Sequence, residues 1–198
     1  MAQRFLTDNL QYAHWSETTF RQTREGGVDA VHVTTAYHEQ FRESFSNLEH
    51  WYGWFDGYPD LIRMAYTADD VRQAKRDGVT AILFGFQNPS PMEDDIGLIE
   101  ILHRLGGRFM QLSYNNQSLL ATGCYEAEDP GITRFGKEAI AEMNRVGMVI
   151  DMSHSADRST LEAIDMSSRP IAITHANPHV WHPALRNKSH EVLKALTD

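Results

Sequence analysis

The sequence of 198 residues contains a single cysteine, Cys124, and no long apolar run. One cysteine excludes an internal disulfide and a zinc site built from cysteines. No apolar segment approaches the roughly 20 residues that a membrane-spanning helix requires. Basic residues are also scarce, since 18 Lys and Arg stand against 27 Asp and Glu and give a formal net charge of -9. An acidic surface repels phosphate backbones, so nucleic acid is not expected as a partner.

The remaining composition is typical of a globular protein, with 41% hydrophobic and 23% charged residues. The first residues, from Met1 to Asp8, lack the apolar core of a signal peptide. We therefore expect a cytoplasmic protein without membrane contacts. We expect one domain over residues 1–198, and a homodimer is left open.

Short apolar runs alternate with amphipathic stretches along the chain, a pattern that predicts an α/β fold with a parallel sheet. The predicted strands are 27–35, 79–86, 109–113, 148–152 and 170–174. The predicted helices are 38–54, 67–76, 94–105, 133–147 and 157–164. Five or six such units suit either a doubly wound sheet or an incomplete (β/α)8 barrel.

Two histidines directly follow predicted strands: His154 after the strand 148–152, and His175 after the strand 170–174. In parallel α/β folds, functional groups gather at the carboxyl ends of the strands. Neutral imidazoles bind metals, so two of them on neighbouring strands can converge on one ion. The alternative is that each is a polar strand end bonded to a loop. Arg186, in the next loop, suits either a clamp on a substrate carboxylate or a surface salt bridge.

The segment Gly136–His154 resembles the signature of the membrane (renal) dipeptidase metallopeptidases. In that signature a helix ends in an Asn-Arg turn before glycine, and the following strand ends in Asp-x-Ser-His. Further segments similar to motifs of this family are 106–115, 170–177 and the pair Arg186-Asn187. The match is specific from about residue 80 to residue 187.

The resemblance implies a (β/α)8 TIM barrel of which this chain holds about six of eight units. It also implies hydrolysis of a dipeptide, or a related small amide with a free carboxylate, by metal-activated water on two bridged zinc ions. His154 and His175 match the histidines that bind the second zinc. Arg186, with Asn187 beside it, matches the group that holds the substrate carboxylate. Tyr114 stands where the family has a histidine that contacts the reacting carbonyl, and its hydroxyl can donate a hydrogen bond.

Three positions depart from the family pattern. Leu10 and Tyr12 occupy the places of the first zinc's ligands, and Gln87 occupies the place of the bridging glutamate. An amide oxygen carries no charge and bridges two ions poorly. The aspartate that acts as general base in the family is expected beyond Asp198. Either the natural chain continues past that residue, or a partner completes the barrel.

These departures favour one zinc ion over two. We expect His154, His175 and Gln87 to bind it together with water, and His38, just after a predicted strand, is the reserve ligand. The alternative is a chain that binds no metal and serves as an inactive family member or a small-molecule binding protein. Metal-dependent hydrolysis is the preferred interpretation.

Overall fold

The computed structural model describes residues 4–197 and contains one sheet. Its strands are β1 (Thr7–Gln11), β2 (Ala30–Ala36), β3 (Ile62–Met64), β4 (Thr80–Phe86), β5 (Gly107–Gln111) and β6 (Val149–Asp151). The order is β1-β2-β4-β5-β6, β3 pairs with β4 outside this path, and every pairing is parallel. This half-barrel confirms the predicted α/β class with a parallel sheet. Residues 1–3 and 198 of the predicted domain lie outside the described residues.

Helices connect the strands. They are α1 (Glu17–Glu25), α2 (Phe41–Gly57), α3 (Ala68–Asp77), α4 (Gly97–Arg104), α5 (Arg134–Val146), α6 (Asp157–Met166) and α7 (His190–Ala195), with a 3-10 turn at Ser90–Met92. Between residues 4 and 197, none of these helices has both the length and the apolar character that a membrane span requires.

The central strands are buried on both faces. Every residue of β2 is buried, and in β4 only Leu83 is partly exposed. Helices cover the outer face, where the largest apolar cluster joins strand residues such as Phe86 and Met110 to helix residues such as Ile99 and Ile140. This arrangement explains the continuous apolar run over 79–86, because a strand covered on both sides cannot alternate with polar residues.

Capping residues set the ends of two helices as the sequence predicts. The Thr67 side chain accepts a hydrogen bond from the Asp70 amide at the start of α3, and Gly78 ends the helix with a φ of 76°. Thr133 likewise caps α5, which ends at Gly147 with a φ of 88°. Left-handed backbone is strained for residues with a Cβ, so glycine is the suitable terminator at both positions.

One predicted strand is wrong. Residues 170–174 form a single parallel bridge, Asp151 to Ala172, instead of a strand. Pro170 has no N–H to contribute, and the Thr174 amide donates to the Ser153 hydroxyl 2.8 Å away instead of to a strand. The segment still lies beside β6, so His175 reaches the same edge of the sheet as His154.

Candidate active site

The two strand-end histidines meet at the carboxyl edge of the sheet. His154 follows β6 after two residues, and His175 follows the bridged segment beside it. Their Nε2 atoms lie 2.9 Å apart, and both rings are largely buried. The structure therefore brings together the two residues that the sequence singled out as metal ligands.

Asn115 sets the tautomer of His154. The Asn115 Oδ1 atom lies 2.7 Å from His154 Nδ1, and an amide oxygen only accepts, so Nδ1 carries the proton. The backbone of Asn115 is left-handed, with a φ of 64°, a conformation that asparagine tolerates better than most residues. His154 Nε2 is thus left as a bare lone pair that faces His175.

Asp151 sets the tautomer of His175 through Thr174. The Thr174 hydroxyl donates to Asp151 Oδ2 over 2.6 Å, so its oxygen accepts the proton of His175 Nδ1 at 2.8 Å. Asp151 is buried and accepts four further hydrogen bonds, from the Ser153 amide and hydroxyl, the Thr174 amide and the Gln111 side chain. His175 Nε2 is therefore bare as well.

Burial keeps both rings neutral. It lowers the pKa of His154 to about 2, with added repulsion from Arg186, and lowers the pKa of His175 to about 4 against the attraction of Asp151. A neutral imidazole with an exposed lone pair is the form that binds a metal. Two bare nitrogens at 2.9 Å repel each other unless a cation lies against both.

The spacing of these nitrogens is close to what one metal ion would need. In a tetrahedral zinc site with Zn–N bonds of about 2.0–2.1 Å, two bound nitrogens stand about 3.3–3.4 Å apart. The two Nε2 atoms, 2.9 Å apart, would therefore have to separate by about 0.4–0.5 Å to hold one zinc ion. Within residues 4–197, no group of three or more His, Cys, Asp or Glu side chains is arranged around an ion. The residues present therefore fit one ion held by two histidines, and they do not reproduce a carboxylate-bridged pair of ions.

The three residues that replace expected metal ligands, Leu10, Tyr12 and Gln87, lie at the carboxyl ends of β1 and β4. Leu10 is buried and has a φ of 55°, and its side chain carries no ligand atom. Tyr12 is exposed and its ring lies 5.4 Å from that of Tyr37. Gln87 is buried, and its amide nitrogen donates to Thr34 Oγ1 over 2.7 Å. Among the described residues, no hydrogen bond joins Gln87 to either histidine.

Tyr114 forms part of the wall of the site. Its ring stacks on His154 with centroids 4.2 Å apart and on Tyr37 with centroids 5.7 Å apart. The ring of His38 meets Tyr114 edge-on at 5.3 Å. The Tyr12 hydroxyl, together with burial, raises the pKa of Tyr37 to about 12. A row of aromatic rings thus leads from exposed Tyr12 to the histidine pair.

Arg186 joins the two histidine loops. Its guanidinium donates to the carbonyl of Ser153 over 2.6 Å and to the carbonyl of His175 over 3.0 Å. The side chain is partly buried, and no carboxylate lies within ion-pair distance of it among the described residues. This placement beside the pair agrees with a role at the site and does not match a surface salt bridge.

Asn187 occupies a different position from its neighbour. Its Oδ1 atom accepts from the Asn177 amide at 3.3 Å, and its Nδ2 atom donates to the His182 carbonyl over 2.8 Å. Both ends of the side-chain amide are therefore used to hold the loop 177–187.

Cys124 is buried, and burial raises the pKa of its thiol, so a nucleophilic role is disfavoured, as the sequence indicates.

Lys188 is a site neighbour that the sequence did not reveal. It is 1% exposed, and its ammonium donates to the Ser155 carbonyl and to Thr160 Oγ1 at 3.4 Å. Burial lowers its pKa to about 8. Lys188 and Arg186 thus place two cationic side chains next to the loops that carry the histidine pair. The nearby carboxylate is Asp151, which accepts from the hydroxyls of Ser153 and Thr174. A lysine in a loop carries no sequence signal of burial.

Comparisons with known proteins agree with the fold and show the family. The family model described as Membrane dipeptidase (Peptidase family M19) matches residues 2–198. Dipeptidase tcpJ of Claviceps purpurea (strain 20.1) is 30% identical over 171 residues, which is 85% of this chain and 39% of the relative. Dipeptidase verJ of Clonostachys rogersoniana is 26% identical over 205 residues, which is 95% of this chain and 52% of the relative.

Solved structures extend the comparison. An amidohydrolase from Pseudomonas aeruginosa superimposes with a TM-score of 0.95 at 38% identity, covering 98% of this chain and 59% of its own. The probable dipeptidase PvdM from Pseudomonas aeruginosa gives a TM-score of 0.88 at 18% identity, covering 98% of this chain and 57% of its own, and shows the fold alone. The half-barrel matches part of the TIM barrel of these dipeptidases.

The chain spans about two fifths to one half of the length of the two curated relatives. The family match nevertheless runs over almost every residue and includes both strand-end histidines. On this basis the chain belongs to the membrane dipeptidase family, peptidase family M19.

Proposed function

We propose that this protein is a metal-dependent hydrolase that cleaves a dipeptide or a related small amide with a free carboxylate. The observation that carries the proposal is the His154–His175 pair, whose bare Nε2 atoms face each other at 2.9 Å. Membership of a dipeptidase family supports the same reaction.

His154 and His175 would hold one ion, for which zinc is the preferred identity. A metal bound there supplies Lewis-acid polarisation of the amide carbonyl. Gln87 remains the proposed third ligand through its Oε1 atom, since its amide nitrogen is the atom that donates to Thr34 Oγ1 in this structure. The rest of the account concerns what the protein's own side chains do.

Three residues position the substrate around the pair. Tyr114, whose ring stacks on His154, is proposed to donate its hydroxyl proton to a carbonyl oxygen at the pair. Arg186 brings a positive charge beside the pair and is proposed to attract the substrate carboxylate. Asn187 contributes indirectly, because its amide holds the 177–187 loop that carries Arg186.

One observation favours a second candidate function, the binding of a carboxylated small molecule without a metal. The histidine pair has two cations behind it, Arg186 and Lys188, and no carboxylate among its ligands. Positive charge repels a metal ion and attracts an anion. Sensitivity of ligand binding or turnover to a chelator distinguishes the two functions.

The direct test is hydrolysis of Ala-Ala and related dipeptides by the purified protein, after treatment with a chelator and after addition of zinc, cobalt or manganese. We expect activity only with added metal, and a loss of at least about 100-fold in His175→Ala. His179→Ala, an exposed histidine of the following loop, is the matched control and should retain wild-type activity. Undiminished turnover in His175→Ala would refute the proposal. Chelator-insensitive binding of dipeptides without turnover would support the second function.

A further inference from the structure

A cavity of about 600 Å³ is lined in part by Tyr114, whose ring stacks on His154. It lies between the loops that follow β2, β4 and β5, and we call it the loop cavity. Its lining residues include His38, Asn88, Ser90, Glu93, Tyr114 and Asn116. Because these loops leave the carboxyl ends of the strands, the cavity lies on the same side of the sheet as His154.

Tyr114 belongs both to the loop cavity and to the wall of the histidine pair. One neighbour of its ring is His154, at 4.2 Å between centroids, and another is His38 of the cavity lining, at 5.3 Å. A small molecule with its reacting group at the pair would have to pass Tyr114 to reach the cavity. A dipeptide has one side chain on each side of its amide, so one of them is within reach of this space.

The lining is mixed, and its polar side chains offer groups for recognition. The Ser90 hydroxyl is buried and has no hydrogen-bond partner among the described residues. A buried hydroxyl without a partner costs free energy, and a polar ligand atom beside it would remove that cost. The amide of Asn116 and the ring of His38 add further donors and acceptors.

The charge of the lining has one sign. Glu93 is its acidic residue, and neither lysine nor arginine occurs among the lining residues. One oxygen of Glu93 accepts from the Phe41 amide over 3.2 Å, which fixes the carboxylate at the start of α2. A fixed carboxylate attracts an ammonium, guanidinium or amide N–H and repels another carboxylate.

We propose that the loop cavity is a side-chain subsite that selects substrates with a basic or amide side chain and rejects acidic ones. Glu93 is the residue that sets this preference. The inference rests on the proposed function, because it takes the histidine pair as the place where the amide binds. It adds the class of side chain that the substrate carries.

The test compares dipeptides in which one residue is alanine and the other is lysine, norleucine or glutamate, in both orders. Norleucine keeps the four-carbon stem of lysine and lacks its charged amino group. We expect the lysine dipeptide to bind about threefold to tenfold more tightly than the glutamate dipeptide, as measured by calorimetry. Glu93→Gln should reduce this ratio by about threefold, and Glu93→Arg should reverse it. Asp94→Asn is the matched control, since Asp94 carries the same charge next in the chain but does not line the cavity.

Binding and turnover together separate the two proposals. A lysine preference that depends on Glu93 and persists in His175→Ala supports the subsite, whatever the turnover. If no dipeptide is hydrolysed while this preference is present, the proposed reaction fails and the subsite stands. Equal binding of lysine and glutamate dipeptides, a preference that Asp94→Asn alters as much as Glu93→Gln, or no binding of any dipeptide overturns the subsite.

Discussion

Hydrogen bonds at Nδ1 fix the two histidine rings of the site. Asn115 accepts from His154, and Thr174 accepts from His175 while donating to Asp151. Such partners orient metal-binding imidazoles and determine which nitrogen is free. At the residue scale, therefore, the free Nε2 atoms that suit the pair to the proposed metal depend on side chains that would not touch that metal.

Asn115 offers a clean test of this dependence. Because its φ is 64°, glycine fits the backbone without strain, so Asn115→Gly removes the acceptor alone. We expect Asn115→Gly to weaken zinc or cobalt binding by about 10-fold to 100-fold in a competition titration with a coloured chelator. Asn115→Asp keeps an acceptor at the same place and should bind at least as tightly as wild type. Wild-type affinity in Asn115→Gly would show that the tautomer is set by other groups.

Lys188 makes a pH-dependent contribution to stability. Burial lowers its pKa from 10.5 to about 8, against the attraction of Asp157 and other acidic groups. Between pH 8 and 10.5 the unfolded chain holds a proton that the folded chain has lost, so this group makes stability rise with pH. Below pH 8 both states hold the proton and the penalty for burying the charge is constant.

Replacement of this lysine by methionine should remove the pH dependence. We expect the free energy of unfolding of wild type, measured against Lys188→Met, to rise between pH 8 and 10.5 by on the order of 3 kcal/mol. Denaturant titrations at several pH values give this difference, in which titrations common to both proteins cancel. A difference that stays constant across the range would mean that Lys188 keeps an ordinary pKa in the folded protein.

At the scale of elements, a side chain of strand β2 lies directly against the backbone of the neighbouring strand β4. The ring of His32 in β2 lies over Gly85 of β4, and a Cβ on Gly85 would stand 1.8 Å from His32 Nε2. Both nitrogens of His32 are buried without a hydrogen-bond partner among the described residues. Burial also lowers the pKa of this histidine to about 4, so the ring is neutral.

Two glycine substitutions should change the stability of the fold in opposite directions, one at this contact and one at an open position. Gly85→Ala must displace a buried ring and should destabilise the fold by about 1–3 kcal/mol. Gly53, inside α2, has nothing within 4 Å of an added Cβ, so Gly53→Ala should stabilise the fold by about 0.5–1 kcal/mol. Chemical denaturation measures both. Equal stability of the two variants would contradict the close contact between the His32 ring and Gly85.

The elements that the sequence predicts best are those with their own start and end signals. Helix α3 has the Thr67 cap and Gly78, and β4 has an uninterrupted apolar run. Strands β1 and β3 and helix α1 were not predicted, because β1 is mostly exposed, β3 has three residues, and α1 buries only Phe20. Short or exposed elements carry too few apolar positions to show a period.

In the candidate site too, residues with a clear sequence signal could be predicted and the others could not. The meeting of His154 and His175 could be predicted because the end of β6 is visible in the sequence and the apolar segment 170–174 lies beside β6, although it forms one bridge instead of a strand. Asn115 could not, because it lies 39 residues from His154 and meets it only through the fold. The same holds for the burial of Lys188 beneath Ser155.

On the scale of the whole molecule, the charge of the surface and that of the site differ in sign. The chain carries a formal net charge of -9, yet Arg186 and Lys188 place positive charge beside the histidine pair. Local positive charge in a negative molecule directs an anionic group to one place. The proposed substrate, a small molecule with a free carboxylate, fits this field, and the proposed subsite at Glu93 would accept a basic or amide side chain on the same molecule.

The central claim is that His154 and His175 hold a single metal ion, and elemental analysis of metal per folded chain tests it most directly. The wild-type protein is compared with the double variant His154→Ala/His175→Ala after both are exposed to zinc and freed of excess. The account predicts about one ion per wild-type chain and none in the double variant. Two ions per chain, or a double variant that keeps its metal, would contradict it, as would a wild-type protein that binds no metal.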